Sequence, residues 1–238
     1  MTARAGRLSH PSPNFGLRRD GATPWLVVLH YTAMENAAAA LERLRDPAAE
    51  VSAHYLIPAE GEVCSLVDEA MRAWHAGAGC WRGCADVNSA SIGIELDNDG
   101  TGPFGASQMT TLKTLLADVM ERWIIPPEGV IGHQDMAPAR KADPGYHFDW
   151  SQLAAEGLAA QPDREPAEEL FYKQAQVDEI DVLLGEIGYT GGEALETKLA
   201  AFRQRFLRQS SGPPNAADRW MLLQYLNDYP VDRGRAEA

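Results

Sequence analysis

The chain has 238 residues, of which 45% are hydrophobic, and this is enough to bury one well-packed domain together with a smaller one. It carries 34 acidic side chains against 21 Lys and Arg, a formal net charge of -13, which argues against a nucleic-acid-binding protein and against adhesion to an anionic membrane. No apolar run approaches the length of a transmembrane helix, so the composition is typical of a water-soluble globular protein.

The first fifteen residues bear on the expected compartment. They include Arg4 and Arg7 but no apolar stretch of the kind that a secretory signal needs, and Pro11 and Pro13 interrupt the chain directly after them. We therefore expect a cytoplasmic protein, the alternative being a periplasmic protein whose leader has been removed.

The cysteines agree with that expectation. There are three, Cys64, Cys80 and Cys84, and an odd number without a repeated spacing does not form a disulfide framework. Cys80 and Cys84 could supply two of the four ligands of a structural zinc site, but the sequence has no second Cys/His pair at the spacing found in zinc fingers. Reduced thiols in a loop are the favoured interpretation, and a Cys80–Cys84 disulfide stays open for an exported protein.

The first strong element is a near-continuous apolar run at residues 25–32. Such a run predicts a strand that is buried on both faces, as in the centre of an α/β sheet. His30 lies near the carboxyl end of this strand, where such sheets place functional groups, although a lone histidine is more often a core residue. An Ala/Leu-rich helix is predicted from Asn36 to Arg45, ending before Pro47.

Two β-rich runs then flank a turn that contains Gly61, and they predict a hairpin of residues 53–58 and 62–67. His54 falls inside the first of these strands and is expected to be structural, or to support a neighbouring site residue, rather than to be catalytic. Trp74, His75 and Trp81 follow in a Gly-rich stretch. Their aromatic faces suit the wall of a sugar-binding groove, and they equally suit a cover over the core.

Residues 91–96 alternate cleanly and predict a strand with Ile92, Ile94 and Leu96 on one face and Gly93 and Glu95 on the other. A carboxylate in an apolar strand is costly unless it has a partner or a function, and the neighbouring glycine leaves room for a ligand. A purely structural carboxylate is an equal alternative. A long amphipathic helix follows up to Pro126, with Ser107 as its predicted N-cap.

A short apolar run at residues 130–132 ends at His133, and the Gly/Pro-containing segment after it predicts a surface loop. This loop contains Lys141 and Asp143, which a turn does not require. Histidine and aspartate are zinc ligands, and lysine can stabilise developing negative charge.

These residues can be combined into one catalytic site. His30, His133 and Asp143 would leave one zinc coordination position for water, which is typical of a catalytic site. Glu95 would be the general base, Lys141 would stabilise an oxyanion, and the reaction would be amide hydrolysis. Spacing alone does not define this ligand set, because three scattered residues can be chosen in any enzyme.

A family resemblance adds what spacing cannot give. The chain resembles the zinc-dependent N-acetylmuramoyl-L-alanine amidases of type 2, the family that includes AmpD-type amidases. The similar segments occur in the family's order across residues 20–150. They are Val28-Leu29-His30-Tyr31-Thr32, Val51-Ser52-Ala53-His54-Tyr55-Leu56-Ile57, Ala73-Trp74-His75-Ala76-Gly77, the run from Asn88 to Leu96, Ile131-Gly132-His133 and Arg140-Lys141-Ala142-Asp143-Pro144-Gly145.

The resemblance implies a fold and a chemistry. The implied fold is α/β, a central mixed β-sheet flanked by helices. The implied cofactor is Zn²⁺ on His30, His133 and Asp143, with Glu95 and Lys141 as catalytic residues, and the implied reaction cleaves the amide between N-acetylmuramic acid and L-alanine of the stem peptide. The implied substrate contacts are Tyr31, Trp74, His75 and Asn88.

The composition changes after Trp150, and three helical patterns follow a linker. We expect a catalytic domain at residues 1–160, a linker at 161–172 and a small three-helix bundle at 173–238. Two segments of the bundle are the runs from Leu183 to Tyr189 and from Thr197 to Arg203. They resemble the peptidoglycan-binding domain that is often attached to wall hydrolases, and a packing or dimerisation role is the alternative.

Two enzyme interpretations therefore remain open. A cytoplasmic amidase would act on soluble 1,6-anhydro-muropeptides during peptidoglycan recycling, and this is the favoured interpretation. An exported amidase would act on peptidoglycan and its fragments in the cell envelope. A peptidoglycan-recognition module without catalysis is a third possibility, but the complete set of five site residues argues against it. No protein partner, nucleic acid or membrane insertion is implied.

Overall fold

A mixed β-sheet forms the centre of the computed structural model, which describes residues 7–230. The sheet has six strands in the order β1-β5-β4-β7-β3-β8, and β2 and β6 form a separate antiparallel pair. In chain order the strands are β1 (Arg7–Ser9), β2 (Phe15–Leu17), β3 (Leu26–Tyr31), β4 (Tyr55–Ile57), β5 (Val63–Ser65), β6 (Met71–Ala73), β7 (Ser91–Leu96) and β8 (Val130–Gly132). The predicted α/β fold with a central mixed sheet is confirmed.

The helices connect the strands and then continue beyond the sheet. They are α1 (Ala37–Arg45), α2 (Val87–Ala90), α3 (Ala106–Trp123), α4 (His133–Met136), α5 (Trp150–Ala154), α6 (Val177–Ile187), α7 (Leu195–Phe206) and α8 (Ala216–Asp228). Short 3-10 turns cover Arg19–Gly21, Pro47–Ala49, Pro127–Gly129 and Glu168–Tyr172. Within residues 7–230, no helix combines the length and the apolar character needed to cross a membrane.

Three neighbouring parallel strands, β7, β3 and β8, place the site residues at one edge of the sheet. His30 on β3 is in register with Glu95 on β7, and Leu29 is in register with Gly132, the last residue of β8. His133 follows directly as the first residue of α4. Because the three strands are parallel, their carboxyl ends meet at the same edge, which is where open α/β sheets bind ligands.

Alternation along the central strands divides the core into two layers. Val27 and Leu29 point into the layer formed with α3 and α5, together with Ile92, Ile94 and Leu96. Leu26 and Val28 point into the opposite layer, which includes residues of α6, α7 and α8. The predicted faces of β7 are therefore observed, with the three apolar side chains in one layer. His30 follows Leu26 and Val28 at even spacing and so lies on the side of the C-terminal helices.

The hairpin is confirmed as the antiparallel pair of β4 and β5, and α1 starts after Asn36, whose side chain caps Ala39 N–H at 3.0 Å. The prediction of Ser107 as the N-cap of the long helix is wrong, because Gly105 occupies that position. Gln108 anchors the first turn by donating to the carbonyls of Ile57 and Asp97. Ser107 therefore lies inside the first turn, next to a tertiary contact of which the local sequence gives no sign.

The three C-terminal helices form as the sequence predicts. Gly188 ends α6, and Asn215 caps α8 through hydrogen bonds from Ala217 and Asp218 N–H. The helices share their apolar core with the sheet: Phe202 and Leu184, both fully buried, belong to the same cluster as Val28 and Ile131. The proposed boundaries at residues 160 and 173 stay a prediction, since a shared core does not by itself tell whether the units fold independently.

The loop of residues 80–84 forms part of this contact. The Trp81 ring packs edge-on against Tyr189, with ring centroids 5.1 Å apart, and covers Gly188. A Cβ at Gly188 would lie 2.6 Å from the Trp81 ring, and its φ of +151° also disfavours a side chain. Trp81 is 2% exposed. It therefore covers the core here, which is the second of the two interpretations left open for it.

Candidate metal centre and catalytic cleft

A cleft of about 470 Å³ opens at the carboxyl ends of β3, β7 and β8. Among the side chains that line it are eight that were predicted as site residues: His30, Tyr31, Trp74, His75, Glu95, His133, Lys141 and Asp143. Asn88, the ninth predicted site residue, does not line the cleft. The fold thus brings together residues that lie more than a hundred positions apart.

Three donor atoms converge at the base of the cleft. Nδ1 of His30 lies 2.9 Å from Nδ1 of His133 and 2.9 Å from Oδ2 of Asp143, and Nδ1 of His133 lies 3.0 Å from the same oxygen. All three residues are buried, with exposures of 1, 2 and 7%. Among the described residues, these three form the one group of ligand types close enough to share a metal ion.

The hydrogen bonding of His133 leaves its Nδ1 atom free of a proton. Its other nitrogen, Nε2, donates to the carbonyl of Ala76 at 2.8 Å. A carbonyl can only accept, so Nε2 carries the hydrogen and a neutral ring has none on Nδ1. Arg140 donates to the same carbonyl at 2.7 Å, and this fixes the acceptor in place.

The tautomer of His30 is fixed by a longer chain of hydrogen bonds. The Ser91 hydroxyl donates to the Val87 carbonyl at 2.5 Å, so its oxygen accepts from Nε2 of His75 at 3.3 Å. Nδ1 of His75 is then left to accept from Nε2 of His30 at 3.0 Å. His30 therefore also carries its hydrogen on Nε2 and presents a bare Nδ1 to the cleft.

The donor set fits a bound cation. Two imidazole nitrogens and a carboxylate oxygen face one another with lone pairs, and neither nitrogen has a hydrogen to share with its neighbours. Such an arrangement is repulsive unless a positive ion lies among the three atoms. Two histidines and one carboxylate with second hydrogen bonds to carbonyls and side chains are the donor types and the outer contacts of catalytic zinc sites.

The charges at the base of the cleft agree with this assignment. Burial lowers the pKa of His30 to about 4, with the charge of His133 as a second cause, and the contact with Asp143 offsets this only in part. Burial alone would raise the pKa of Asp143, and the positive charge that His133 and His30 carry when they are protonated holds it well below its usual range; with both rings neutral, a bound cation would supply that charge. A neutral imidazole and an ionised carboxylate are the forms that bind metal.

Glu95 lies beside this group with one oxygen unsatisfied. Its Oε2 atom is shielded from solvent and has no hydrogen-bond partner in residues 7–230. Burial raises the pKa of Glu95 well above its ordinary value, and the charge of Asp143 raises it further. A carboxylate with a raised pKa, in a cleft and without a partner, has the properties of a general base or acid.

Lys141 and Asp143 both come from the loop after α4. The loop is fixed at its start by the backbone N–H of Lys141, which donates to the Ala137 carbonyl at 3.0 Å, and Gln134 N–H donates to the Asp143 carbonyl at 2.9 Å. The Lys141 charge acts on both Glu95 and His30, whose pKa values it lowers as a minor contribution. Lys141 thus faces the same cleft as the ligands, two residues before Asp143.

Tyr31 and Trp74 are half-buried at the cleft and are available to a ligand. The Tyr31 ring lies between Gly100 and Gly145, where a Cβ on either glycine would come within 3.1 Å of it. Burial raises the pKa of Tyr31, so its hydroxyl is a neutral donor and acceptor. Their role as substrate contacts stays a prediction.

The other two predicted substrate contacts are engaged inside the protein. His75 uses both ring nitrogens on His30 and Ser91, and it fills the space above Gly93, where a Cβ would lie 2.4 Å from the ring. The room beside Gly93 that the sequence suggested for a ligand is taken by this ring. Oδ1 of Asn88 accepts the backbone N–H groups of His75 and Ala76 at 3.0 and 2.9 Å.

Sequence reasoning missed Ser91 and Asp135. Ser91 ends the chain that fixes His30, and Asp135 caps the Gly132 N–H at 2.8 Å, directly before His133. The only available signal for Asp135 was its position two residues after a predicted ligand. Nothing in the local sequence of Ser91 distinguishes it from an ordinary strand residue.

Comparison with known proteins identifies the family. The family model described as N-acetylmuramoyl-L-alanine amidase matches residues 20–146, and the chain belongs to this family. The N-acetylmuramoyl-L-alanine amidase AmiD of Escherichia coli is 42% identical over 154 residues, which is 58% of this chain and 55% of that protein. The 1,6-anhydro-N-acetylmuramyl-L-alanine amidase AmpD of Escherichia coli is 33% identical over 160 residues, 60% of this chain and 87% of that protein.

Solved structures extend the likeness to most of the chain. The complex of AmiD from E. coli with the substrate anhydro-N-acetylmuramic acid-L-Ala-D-gamma-Glu-L-Lys matches with a TM-score of 0.79 and 32% identity, covering 90% of this chain and 93% of that one. AmpDh3 from Pseudomonas aeruginosa matches with a TM-score of 0.78 and 27% identity, covering 90 and 95%. A likeness over 90% of the chain includes much of the C-terminal helices.

Proposed function

We propose that this protein is a zinc-dependent N-acetylmuramoyl-L-alanine amidase, which hydrolyses the amide between the lactyl group of N-acetylmuramic acid and L-alanine of the stem peptide. The observation that supports this most strongly is the pairing of two groups in one cleft. The bare Nδ1 atoms of His30 and His133 meet Asp143, and the unsatisfied Oε2 of Glu95 lies beside them. Family membership agrees with the proposal.

The residues of the cleft divide the reaction among themselves. Zinc on His30, His133 and Asp143 would polarise the scissile carbonyl and lower the pKa of a water molecule to about 7. Glu95 accepts the proton of the attacking water and returns it to the leaving amine, for which its raised pKa is suited. Lys141 stabilises the negative charge that develops on the carbonyl oxygen.

The substrate that we propose is a soluble muropeptide in the 1,6-anhydro form, cleaved during peptidoglycan recycling in the cytoplasm. The names of the relatives support this choice: AmpD is a 1,6-anhydro-N-acetylmuramyl-L-alanine amidase, and the AmiD and AmpDh3 structures contain anhydro-muramyl peptides. Fractionation of cells that produce the untagged protein tests the compartment, and recovery with a periplasmic marker would contradict a cytoplasmic location.

A second candidate is an exported amidase that acts on peptidoglycan and its fragments in the cell envelope. The resemblance of the C-terminal helices to a peptidoglycan-binding domain favours it, and the AmiD and AmpDh3 structures cover 90% of this chain whereas the AmpD structure covers 67%. In that case the helices from residue 173 onward would bind peptidoglycan. A recognition module without catalysis is disfavoured, because a pure binder does not need the unsatisfied Glu95.

The test is release of the stem peptide from purified anhydro-muropeptide and from intact sacculi, with and without a chelator. We expect the protein to cleave the soluble fragment. A chelator should abolish this cleavage, and added zinc should restore it. Cleavage of sacculi at a comparable rate would favour the envelope enzyme. Binding without cleavage by zinc-loaded protein would overturn the catalytic proposal.

A further inference from the structure

Asp135 is the carboxylate on the far side of α4 from the cleft. Its Oδ2 atom accepts the Gly132 N–H at 2.8 Å and Nη1 of Arg205 at 2.9 Å, and its Oδ1 atom accepts the Tyr189 hydroxyl at 2.9 Å. Arg205 belongs to α7, and Tyr189 follows α6. Asp135 therefore joins the start of the helix that carries His133 to two of the three C-terminal helices.

The contact is buried, and both oxygens of Asp135 and both Nη atoms of Arg205 have partners, whereas Nε of Arg205 has none in the described part of the chain. The side chains of Asp135 and Arg205 are 0 and 3% exposed. Nη2 of Arg205 donates to the carbonyls of Val130 and Ala160 at 3.2 Å each, and its guanidinium lies 3.8 Å from the ring centroid of Trp150. Removing one partner of such a pair leaves an uncompensated charge inside the protein.

Residues of and after α7 also reach the loop that carries Asp143. Nη2 of Arg208 donates to the Phe148 carbonyl at 2.7 Å, and Nε2 of Gln204 donates to the Ala142 carbonyl at 3.4 Å. The same part of the C-terminal helices thus contacts the two chain segments that supply His133 and Asp143.

We propose that the C-terminal helices position the metal ligands, with Asp135, Arg205 and Tyr189 as positioning residues. Arg205 and Tyr189 orient Asp135, and Asp135 fixes the turn from Gly132 to His133. The inference rests on the proposed zinc amidase function. It gives these helices a role in the site itself, separate from any binding of peptidoglycan.

The experiment measures zinc affinity of the full chain by competition with a chromophoric chelator, together with the absorption spectrum of the cobalt-substituted protein. Arg205→Met is expected to lower zinc affinity about 10- to 100-fold, the range found when residues behind metal ligands are changed. The cobalt spectrum should shift, because His133 is no longer held in one orientation.

Arg203→Met is the matched control. Arg203 pairs with Asp218 inside the C-terminal helices, with side-chain exposures of 10 and 0%, and also donates to the carbonyls of Gly212 and Pro213. Its loss should lower the melting temperature as Arg205→Met does, while zinc affinity well below that temperature stays at the wild-type value.

Tyr189→Phe keeps the proposal testable if Arg205→Met does not fold. It keeps the ring against Trp81 and removes only the hydrogen bond to Asp135, so we expect a loss of zinc affinity of about threefold to tenfold. Wild-type affinity in Tyr189→Phe, or an equal loss in Arg203→Met, would overturn the positioning role. Failure of the wild-type chain to bind zinc would instead overturn the proposed function.

Discussion

The cleft and the contact region behind α4 each hold a carboxylate with an oxygen that is shielded from water, and the two carboxylates differ in their hydrogen-bond partners. Asp135 has a cation, a hydroxyl and a backbone N–H as partners. Glu95 has an oxygen without any partner in the described part of the chain, and it faces an open cleft. Glu95 lies on β7 in register with the predicted ligand His30, and Asp135 lies in α4, two residues after the predicted ligand His133.

This difference indicates a structural role for Asp135 and a chemical role for Glu95. A satisfied buried carboxylate is fixed in position and charge, so it stabilises the segment to which it is bonded. An unsatisfied carboxylate with a raised pKa keeps the capacity to bind a water molecule or a proton. Substitutions in the two regions test this division, and the largest effect is expected at the metal ligands.

Asp143→Ala should abolish both zinc binding and amide cleavage, because it removes one of three protein ligands and leaves two bare imidazole nitrogens at 2.9 Å. Metal content after dialysis and stem-peptide release measure the two effects. Asp149→Ala is the control: it removes the exposed cap of α5 and should cost about 1 kcal/mol of stability without changing zinc affinity. Full activity of the Asp143 variant would show that the ligand set is wrong.

Lys141→Met should lower kcat by about 100- to 1000-fold, since it removes the cation that we assign to the developing oxyanion. Zinc affinity should change little, because Lys141 is not a ligand. Steady-state kinetics on anhydro-muropeptide separate kcat from KM. Lys113→Met, which breaks the surface pair with Glu156, is the control and should leave kcat unchanged. A rise in KM alone would assign Lys141 to substrate binding.

His75→Phe should weaken zinc binding by about 10- to 100-fold, because phenylalanine fills the space above Gly93 but cannot accept the hydrogen of His30. Nitrogen NMR of the imidazole groups reports the tautomer directly. We expect His30 to lose its single Nε2–H form in this variant. The exposed His147→Phe is the control, and an unchanged His30 tautomer in His75→Phe would contradict the hydrogen-bond chain from Ser91.

Glu69 offers a third carboxylate, satisfied like Asp135 but remote from the cleft. It accepts from Tyr55, Trp123 and Arg122 at 2.5 to 3.0 Å. Burial alone would raise the pKa of Glu69, but these hydrogen bonds outweigh burial and lower it. The contact therefore stabilises the protein above the unfolded-state pKa near 4.5, and this contribution is lost as the pH falls through the lower folded-state value.

Glu69→Gln should accordingly lower the free energy of unfolding by about 1 kcal/mol at neutral pH, a small value because Arg122 is partly exposed to solvent. It should also make stability less dependent on pH below the unfolded-state pKa of Glu69. Denaturant unfolding at several pH values measures this. Zinc affinity and cleavage should match the wild-type protein. A loss of cleavage would show that satisfied carboxylates far from the cleft also contribute to the chemistry.

Much of the fold follows from local patterns in the sequence. The bounds of β7 are the predicted ones, because the period of two over residues 91–96 is unambiguous, and three helices form where three helical patterns were predicted after the linker. The short strands β1, β2 and β6 were not predicted, because they do not lie in apolar or β-rich runs like those that contain β4, β5 and β8. The start of α3 was misplaced, and Gln108 in its first turn donates to the carbonyls of Ile57 and Asp97, a tertiary contact that the local sequence does not show.

The candidate site divides in the same way. Residue type and family resemblance predicted His30, His133, Asp143, Glu95 and Lys141, and the structure gathers all five in one cleft. The hydrogen bonds that choose the binding nitrogen of each histidine involve Ser91 and the Ala76 carbonyl, which no sequence pattern marks. The link from Asp135 to Arg205 joins positions 70 residues apart and is visible only in the folded chain.

The most direct test compares two isosteric substitutions, Glu95→Gln and Asp135→Asn, for zinc affinity and for kcat on anhydro-muropeptide. We predict that Glu95→Gln keeps wild-type zinc affinity and loses about 100- to 10,000-fold in kcat, since the proton acceptor is gone. Asp135→Asn should lose about tenfold in zinc affinity, and kcat at saturating zinc should recover most of the wild-type value. Cleavage by Glu95→Gln within a few-fold of the wild-type rate would contradict the assignment of Glu95 as the general base.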